Sequence, residues 1–266
     1  MDSKNVLKRM NYKMTNAALF DENFRSFAEM LGGAPRGARL SLAEPSLAAA
    51  SGTSSAGENY ALFGAPAQQK DVEAALRFFD ERQAAFVVPW LRETPFSLAQ
   101  AFEKYGLSRR RIYTSMYLPA ERLAAEQAPE VIKITPERAE EWAEAAWLAF
   151  GGAADDPELE NYRSFGAYLA TCSGNTAYAL VKDGRFAATA LFHETPDTLG
   201  LYYFATLPEF RRQGLATILL ESAASAFAKK GKPLVLLATE AGVPFYISFG
   251  FKIIEQVPIY SLTEDI

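Results

Sequence analysis

The chain has 266 residues, 49% apolar and 13% aromatic, a globular composition long enough for one large domain or two of ordinary size. Its formal net charge of −5 is spread along the chain, which excludes the clustered positive charge that a nucleic-acid partner requires. Cys172 and His193 are the single cysteine and histidine, so an intrachain disulfide, a thiolate cluster and a histidine-rich metal site are excluded as well.

The opening residues are polar, with no signal-peptide apolar stretch, and no apolar run approaches membrane-spanning length. A cytoplasmic protein without a membrane partner is the expectation. Residues 21–31 (DENFRSFAEML) read as an amphipathic helix ending at Gly32-Gly33. The short apolar runs RLSLA, SLAAAS and NYALFGA read as strands, with SGTSSAGE as a flexible hairpin loop. Asp71 is expected to cap the helix VEAALRFFDERQ, whose Val72, Ala75, Leu76 and Phe79 share a face. A buried strand AAFVVPW, a helix over 97–106 and a strand over 111–118 follow, with Arg109-Arg110-Arg111 as a solvated strand end. The Ala/Glu-rich segment 119–129 then marks a boundary, giving domains 1–125 and 126–266.

Beyond it VIKI is a strand, and Thr135-Pro136-Glu137 opens a helix carrying Trp142, Ala143, Ala146 and Phe150 on one face. Asp156-Pro157-Glu158 opens a second helix ending near Cys172. TAYALV and FAATALF flank the tight-turn pair Asp183-Gly184, and LGLYYFAT is the third strand of the meander. A helix is expected over 214–231, then a doubly buried strand in PLVLLATE, a short helix VPFYISF and a last strand in IIEQVPIYSL. Aligning Gly106 with Gly250 sets Tyr105 on Phe249, Phe102 on Tyr246 and Leu118 on Leu262. Helix, buried strand, helix, glycine and long strand thus occur twice, as an internal repeat would have them.

Chemistry concentrates in TLPEFRRQGLAT, residues 206–217, between a strand and a helix. Gly214 and the small Ala216 let a ligand approach the main chain. The unpaired N–H groups of the first helical turn converge there with the positive end of the helix dipole. Arg211 and Arg212 add charge, so the turn suits a diphosphate. The segment resembles the pyrophosphate loop of the GNAT superfamily, [QR]-x-x-G-x-[GA], with Arg211, Gly214 and Ala216 on its defined positions. Phe245-Tyr246-x-x-x-Gly250-Phe251 is similar to the F-Y-x-x-x-G-F ending of the same domains.

The resemblance implies a set of roles. Acetyl-coenzyme A would set its pyrophosphate on the amides of Arg211, Arg212, Gln213, Gly214, Leu215, Ala216 and Thr217. Its pantetheine arm would pair with the main chain of Phe204, Ala205 and Thr206. A bulge or splay in that strand would offer an N–H to the thioester carbonyl, and Tyr246 would protonate the leaving thiolate. Thr239 stands where many family members have an asparagine, which puts that cofactor contact in doubt. His193 and Glu194 are candidates for the general base, with Tyr203 a third. Asp155, Asp156, Glu158 and Glu160 either attract a cationic amine or cap helices. Trp142 reads as core, and Trp147 as core or acceptor-pocket wall.

The fold expected is α/β (α+β): two GNAT-like domains in tandem, mixed and mostly antiparallel sheets flanked by helices. The N-terminal one is degenerate, because its corresponding turn, APAQQKDVEAAL, has neither glycine nor arginine. The function expected is direct transfer of an acetyl group from acetyl-coenzyme A to a primary amine, with no metal. The competing readings are a non-catalytic acetyl-coenzyme A sensor and a transferase with another acyl donor. The acceptor is left open among a small amine, an antibiotic, a peptide N-terminus and a lysine, and the oligomeric state is also open.

Overall fold

The computed structural model describes residues 14–123 and 127–264. The polar lead and the middle of the boundary segment lie outside them. Helix α1 (Asn16–Leu31) begins earlier than its apolar periodicity suggests, because the Thr15 hydroxyl accepts from Ala18 N at 3.2 Å and caps it there. Strands β1 (Ala38–Ser41), β2 (Leu47–Ala50) and β3 (Tyr60–Leu62) form an antiparallel three-stranded sheet. In α2 (Gln69–Asp80) Asp71 is not the cap but the third helical residue. Its carboxylate takes the main-chain N–H of Gln68, and the Gln68 side chain takes the N–H of Asp71 in return.

AAFVVPW contributes only the two-residue strand β4 (Val88–Pro89), since proline offers no N–H for a longer ladder. After α3 (Leu98–Lys104) comes β5 (Ser108–Leu118), which starts three residues before the expected strand and includes the arginine triplet. The second half runs β6 (Val131–Lys133), α4 (Ala139–Ala149), α5 (Glu158–Thr171), β7 (Asn175–Lys182), β8 (Arg185–Glu194) and β9 (Leu199–Thr206). It ends with α6 (Leu215–Ser225), β10 (Leu234–Ala238), α7 (Val243–Phe249) and β11 (Lys252–Ser261). The Asp183-Gly184 turn between β7 and β8 has φ of 52° and 74°, the mirror-image geometry its sequence demands.

The sequence boundary near 125 is not a boundary in the sheet. The larger sheet has the order β4-β11-β5-β10-β9-β8-β7-β6, so β5 of the first half lies between β10 and β11 of the second. β11 in turn lies between β4 and β5, antiparallel to both. The segment β4-β11-β5-β10 is symmetric under exchange of β4 with β10 and β5 with β11. Gly106 and Gly250, at equivalent corners, both have positive φ, 76° and 108°. Elements also correspond outward: Tyr60 of β3 forms one parallel bridge with Val87, the residue before β4, as β9 meets β10 in parallel at Leu199 and Gly200. The strand order is therefore the one that an internal repeat would give, with β5 and β11 side by side at its centre.

Packing follows the same exchange. Phe27 and Leu31 of α1 and Met116 and Leu118 of β5 join Leu191, Leu219 and Leu236 in one core. A second core beneath α2 and α3 holds Phe63, Phe79, Phe86 and Phe102. β8 is buried along almost its whole length, which explains its lack of polar alternation. Among the described residues no helix is long and apolar enough to cross a membrane.

Candidate active site

The site begins as a defect in β9. Its register against β8 shifts between Thr189 and Leu191, and Tyr203 has a φ of 48°, so the strand bulges at Tyr203 and Phe204. The Thr189 hydroxyl holds the bulge by donating to the Tyr203 carbonyl at 2.9 Å. On its other edge β9 pairs with β10 only at Leu199 and Gly200, and beyond them the two strands splay apart. The edge of Phe204 and Ala205 facing β10 therefore has no strand partner.

The turn after β9 is held by its own side chains while its main chain stays open. The Arg211 guanidinium points inward, donating to the carbonyls of Thr206 at 3.0 Å and Ala149 at 2.9 Å. Its charge stays nearby, but Arg212 is the arginine left facing solvent. Gln213 donates to the Glu209 carbonyl at 3.2 Å and accepts from Lys182. Arg212 and Gly214 have φ of 62° and 79°. Gly214 occupies the N-cap position ahead of α6 and supplies no side-chain cap, and a Cβ built on it would meet no atom within 4 Å. Among the described residues, none of the main-chain N–H groups of 212–216 has a hydrogen-bond acceptor. The equivalent turn of the first half is the opposite case: Gln68 and Asp71 cap α2, and a carboxylate stands where a phosphate would have to sit.

α7 sets Tyr246 beside the splay, its ring 6.1 Å from that of Phe204 and 5.3 Å from that of Phe251. Burial pushes its phenol well above the usual tyrosine range, so it keeps its proton at neutral pH. The Thr239 carbonyl starts α7 by accepting from Gly242 N at 2.9 Å and Val243 N at 3.2 Å. A groove of about 450 Å³ between α6 and α7, with Arg122 and Thr217 on its walls, opens beside the same turn.

His193 and Glu194 are not brought to this place. They pair with Gly200 and Leu199, at the end of β9 remote from Thr206. Both ring nitrogens of His193 are engaged, Nδ1 with Asn175 Oδ1 at 2.7 Å and Nε2 with the Ser26 hydroxyl at 2.9 Å. Burial lowers its pKa to about 4, leaving a neutral structural imidazole that ties α1 to the sheet. Glu194 is held by Lys230 and by Lys232, the latter at 2.8 Å, which keep it below the usual carboxylate range. Asp156 accepts from Glu158 N at 2.8 Å in a capping role, and Glu160 pairs with Arg163 at 3.1 Å. Glu158 reaches across to the first half and accepts from Ser54 N at 2.9 Å.

On the other side of the splay, between the two halves, lies a cavity of about 820 Å³. Tyr202, Tyr203, Leu237 and Thr239 form its floor, and Trp147 and Phe150 one wall. Trp142, by contrast, is fully buried core. The opposite wall comes from the SGTSSAGE segment, which is not a flexible loop. Buried Asn59 fixes it, accepting from Ser51 N at 2.8 Å and donating to the carbonyls of Thr53, Ser55 and Ala85 at 3.3, 3.0 and 2.8 Å. Asn59 thereby presents Glu58 to the cavity, where its carboxylate accepts from the Tyr203 hydroxyl. Burial raises the Glu58 pKa to about 7, against hydrogen bonds from Tyr203 and Tyr162 that pull it down. Sequence reading passed over this residue; its one signal was a lone acid in a run of small residues ahead of a buried asparagine.

The splayed strand pair and the turn of unsatisfied amides both lie within one stretch of the chain that matches an acyltransferase family. Residues 137–251 match the acetyltransferase (GNAT) family; that stretch of the chain is a GNAT acetyltransferase domain. No curated protein is significantly similar in sequence. Among solved structures, the chain is similar over 89% of its length, and 94% of the other chain, to a GCN5-related N-acetyltransferase from Kribbella flavida, with 16% identity and a TM-score of 0.61. A functionally unknown conserved protein from Staphylococcus epidermidis ATCC 12228 is 11% identical with a TM-score of 0.65, over 86% of this chain and 95% of that one. A tandem GNAT protein from the clavulanic acid biosynthesis pathway is 14% identical with a TM-score of 0.59, over 91% and 94%. At these identities the likeness is one of fold.

Proposed function

We propose that the protein transfers an acetyl group from acetyl-coenzyme A to a primary amine by direct attack, and that 126–266 carries the cofactor site while 1–125 is a GNAT-like half without one. The observation that supports this most is the contrast between the two equivalent turns: open amides and a Gly214 that supplies no side-chain cap before α6, a self-capped acidic turn before α2. The diphosphate rests on the amides of 212–216 beside Arg212, with Arg122 and Thr217 lining the groove for the nucleotide end. The free edge of Phe204 and Ala205 takes the pantetheine arm; Arg211 already occupies the Thr206 carbonyl. The bulge at Tyr203 and Phe204 turns a main-chain N–H toward the thioester carbonyl, where it stabilises charge that appears only on attack. As the C–N bond forms and the C–S bond breaks, Tyr246 gives its proton to the departing sulfur; its burial keeps that proton in place until then.

The test is a thermal-shift titration with acetyl-coenzyme A, followed by a thiol-release assay. Wild-type protein is stabilised and Gly214→Glu is not, because the added carboxylate enters the open cradle. Tyr246→Phe keeps the thermal shift and loses roughly 10²-fold or more in turnover. A wild-type melting temperature that ignores acetyl-coenzyme A overturns the reading. Tight binding without turnover of any amine favours a sensor instead.

A further inference from the structure

We infer that the cavity between the two halves is the acceptor site, that it takes a compact primary amine with an aromatic or apolar body, and that Glu58 of the non-cofactor half receives the amine proton. This rests on the acyl-transfer reading above and adds to it the acceptor class and a residue from the half that holds no cofactor.

The placement carries the argument. The cavity floor is the splay itself: Tyr202 and Tyr203 on one lip, Leu237 and Thr239 on the other. A nucleophile resting in it faces the strand gap in which the thioester carbonyl is presented. Tyr203 belongs to the bulge through its main chain and touches Glu58 through its hydroxyl, so one side chain links the carbonyl-binding strand to the carboxylate. Of the residues lining the cavity, only Glu58 is acidic and only Arg111 is basic. Arg111 is exposed at the mouth, so the interior offers one anion. The remaining titratable groups that line the cavity are phenols, those of Tyr60, Tyr113, Tyr162, Tyr202 and Tyr203, and its polar uncharged side chains are Ser54, Ser55 and Thr239. Burial holds these phenols above the ordinary tyrosine value, so they are neutral in the working range.

An ammonium group entering this box meets ring faces and a single carboxylate, the two features that attract a cation out of water. A pocket of this volume and apolar lining suits a small molecule with its body against the rings. A long hydrophilic polyamine or a charged peptide would leave its remaining polar groups unpaired against them. Proton flow balances: the ammonium gives one proton to the Glu58 carboxylate, and the freed nitrogen lone pair forms the C–N bond. The C–S bond breaks, Tyr246 protonates the sulfur, and the second amine proton leaves to solvent as Tyr246 and Glu58 re-equilibrate. A carboxyl that titrates at about 7 accepts a proton at neutral pH more readily than an ordinary glutamate does.

The experiment uses the full chain with acetyl-coenzyme A and two probe amines, phenethylamine and spermidine. Wild-type kcat/KM for phenethylamine exceeds that for spermidine at least tenfold. It rises tenfold per pH unit up to about 7 and then levels off, because the base form of Glu58 is the one present above its pKa. Glu58→Gln lowers kcat/KM by about 100-fold or more and flattens that limb, with the acetyl-coenzyme A thermal shift unchanged. Tyr203→Phe removes a hydrogen bond to the carboxylate and moves the limb to higher pH, a change that a purely structural role would not produce. Preference for spermidine, a Glu58→Gln enzyme within threefold of wild type, an unmoved limb in Tyr203→Phe, or no turnover of either amine while the cofactor binds overturns the inference. Failure of wild type to bind acetyl-coenzyme A overturns the underlying reading instead.

Discussion

Gly214→Ala is the most economical probe of the cradle, because the structure separates its two effects. The residue has a φ of 79°, and a methyl group there meets nothing within 4 Å. The cost in the free protein is therefore conformational alone, about 1–2 kcal/mol for an L-residue in the left-handed region. In a chain of this size that is a fall in Tm of roughly 2–8 °C. Gly231 is the matched control: φ is 65°, a methyl again meets nothing within 4 Å, and it lies beyond the far end of α6. Gly231→Ala should lose similar stability. Only in Gly214→Ala does the added methyl also stand in the space through which a diphosphate would approach the main chain, so binding weakens as well, by about 5- to 30-fold. Titration calorimetry with coenzyme A beside thermal denaturation of both variants reads the two effects apart. Equal affinities in Gly214→Ala and wild type, or equal losses in the two variants, would refute the assignment of the diphosphate to this turn.

Three further outcomes are expected. Burial, reinforced by Glu255, raises Asp21 to about 7, so the folded state holds a proton that the unfolded chain has released, and stability declines as pH rises from about 4 to 7. Asp21→Asn should remove that decline, leaving it roughly 3–4 kcal/mol ahead of wild type at pH 8 and near parity at pH 4 by urea denaturation; a gap that does not change with pH refutes this. Asn59→Ala leaves the Ser51 amide and the Thr53 and Ser55 carbonyls of the 51–58 segment, and the neighbouring Ala85 carbonyl, without their partner and should cost roughly 2–4 kcal/mol while releasing Glu58 from the cavity wall. Retained stability would mean the segment is held by something else. Gly166→Ala places its Cβ 2.4 Å from that of Ala143 and should wedge α4 from α5 at a cost of about 1–3 kcal/mol, read as a lower Tm.

What could be read from the chain is what local chemistry decides. Asp183-Gly184 specifies its turn, Gly214 its left-handed corner, and the unbroken apolar runs of β8 and β10 their burial on two faces. The recurring order of elements was legible because Gly106 and Gly250 each follow a short helix and precede a long strand. Long-range assembly was not. Nothing in SRRRIYTSMYL says that it belongs between PLVLLA and KIIEQVPIYS; that follows from the symmetric pairing of two similar strands. His193 drew attention as the single histidine, yet its meaning depended on Ser26 and Asn175, 167 and 18 residues away in the chain. Glu58 went unnoticed for the converse reason. A carboxylate becomes chemically unusual through its enclosure, and Tyr203, the partner that defines it, is 145 residues distant.

The crossed arrangement of β5 and β11 bears on how the polypeptide is made. During synthesis the first half emerges with β5 complete but both its edges bare, since β10 and β11 have yet to be translated. Neither lobe can satisfy its own ladder without the other, so assembly is a closing step that waits for 252–261 to be released. Until then an eleven-residue stretch of extended backbone is open to pairing with a neighbouring nascent chain. The exposed arginines 109 and 111 on β5 act as a brake on that association, like charges that keep two such edges from lying side by side.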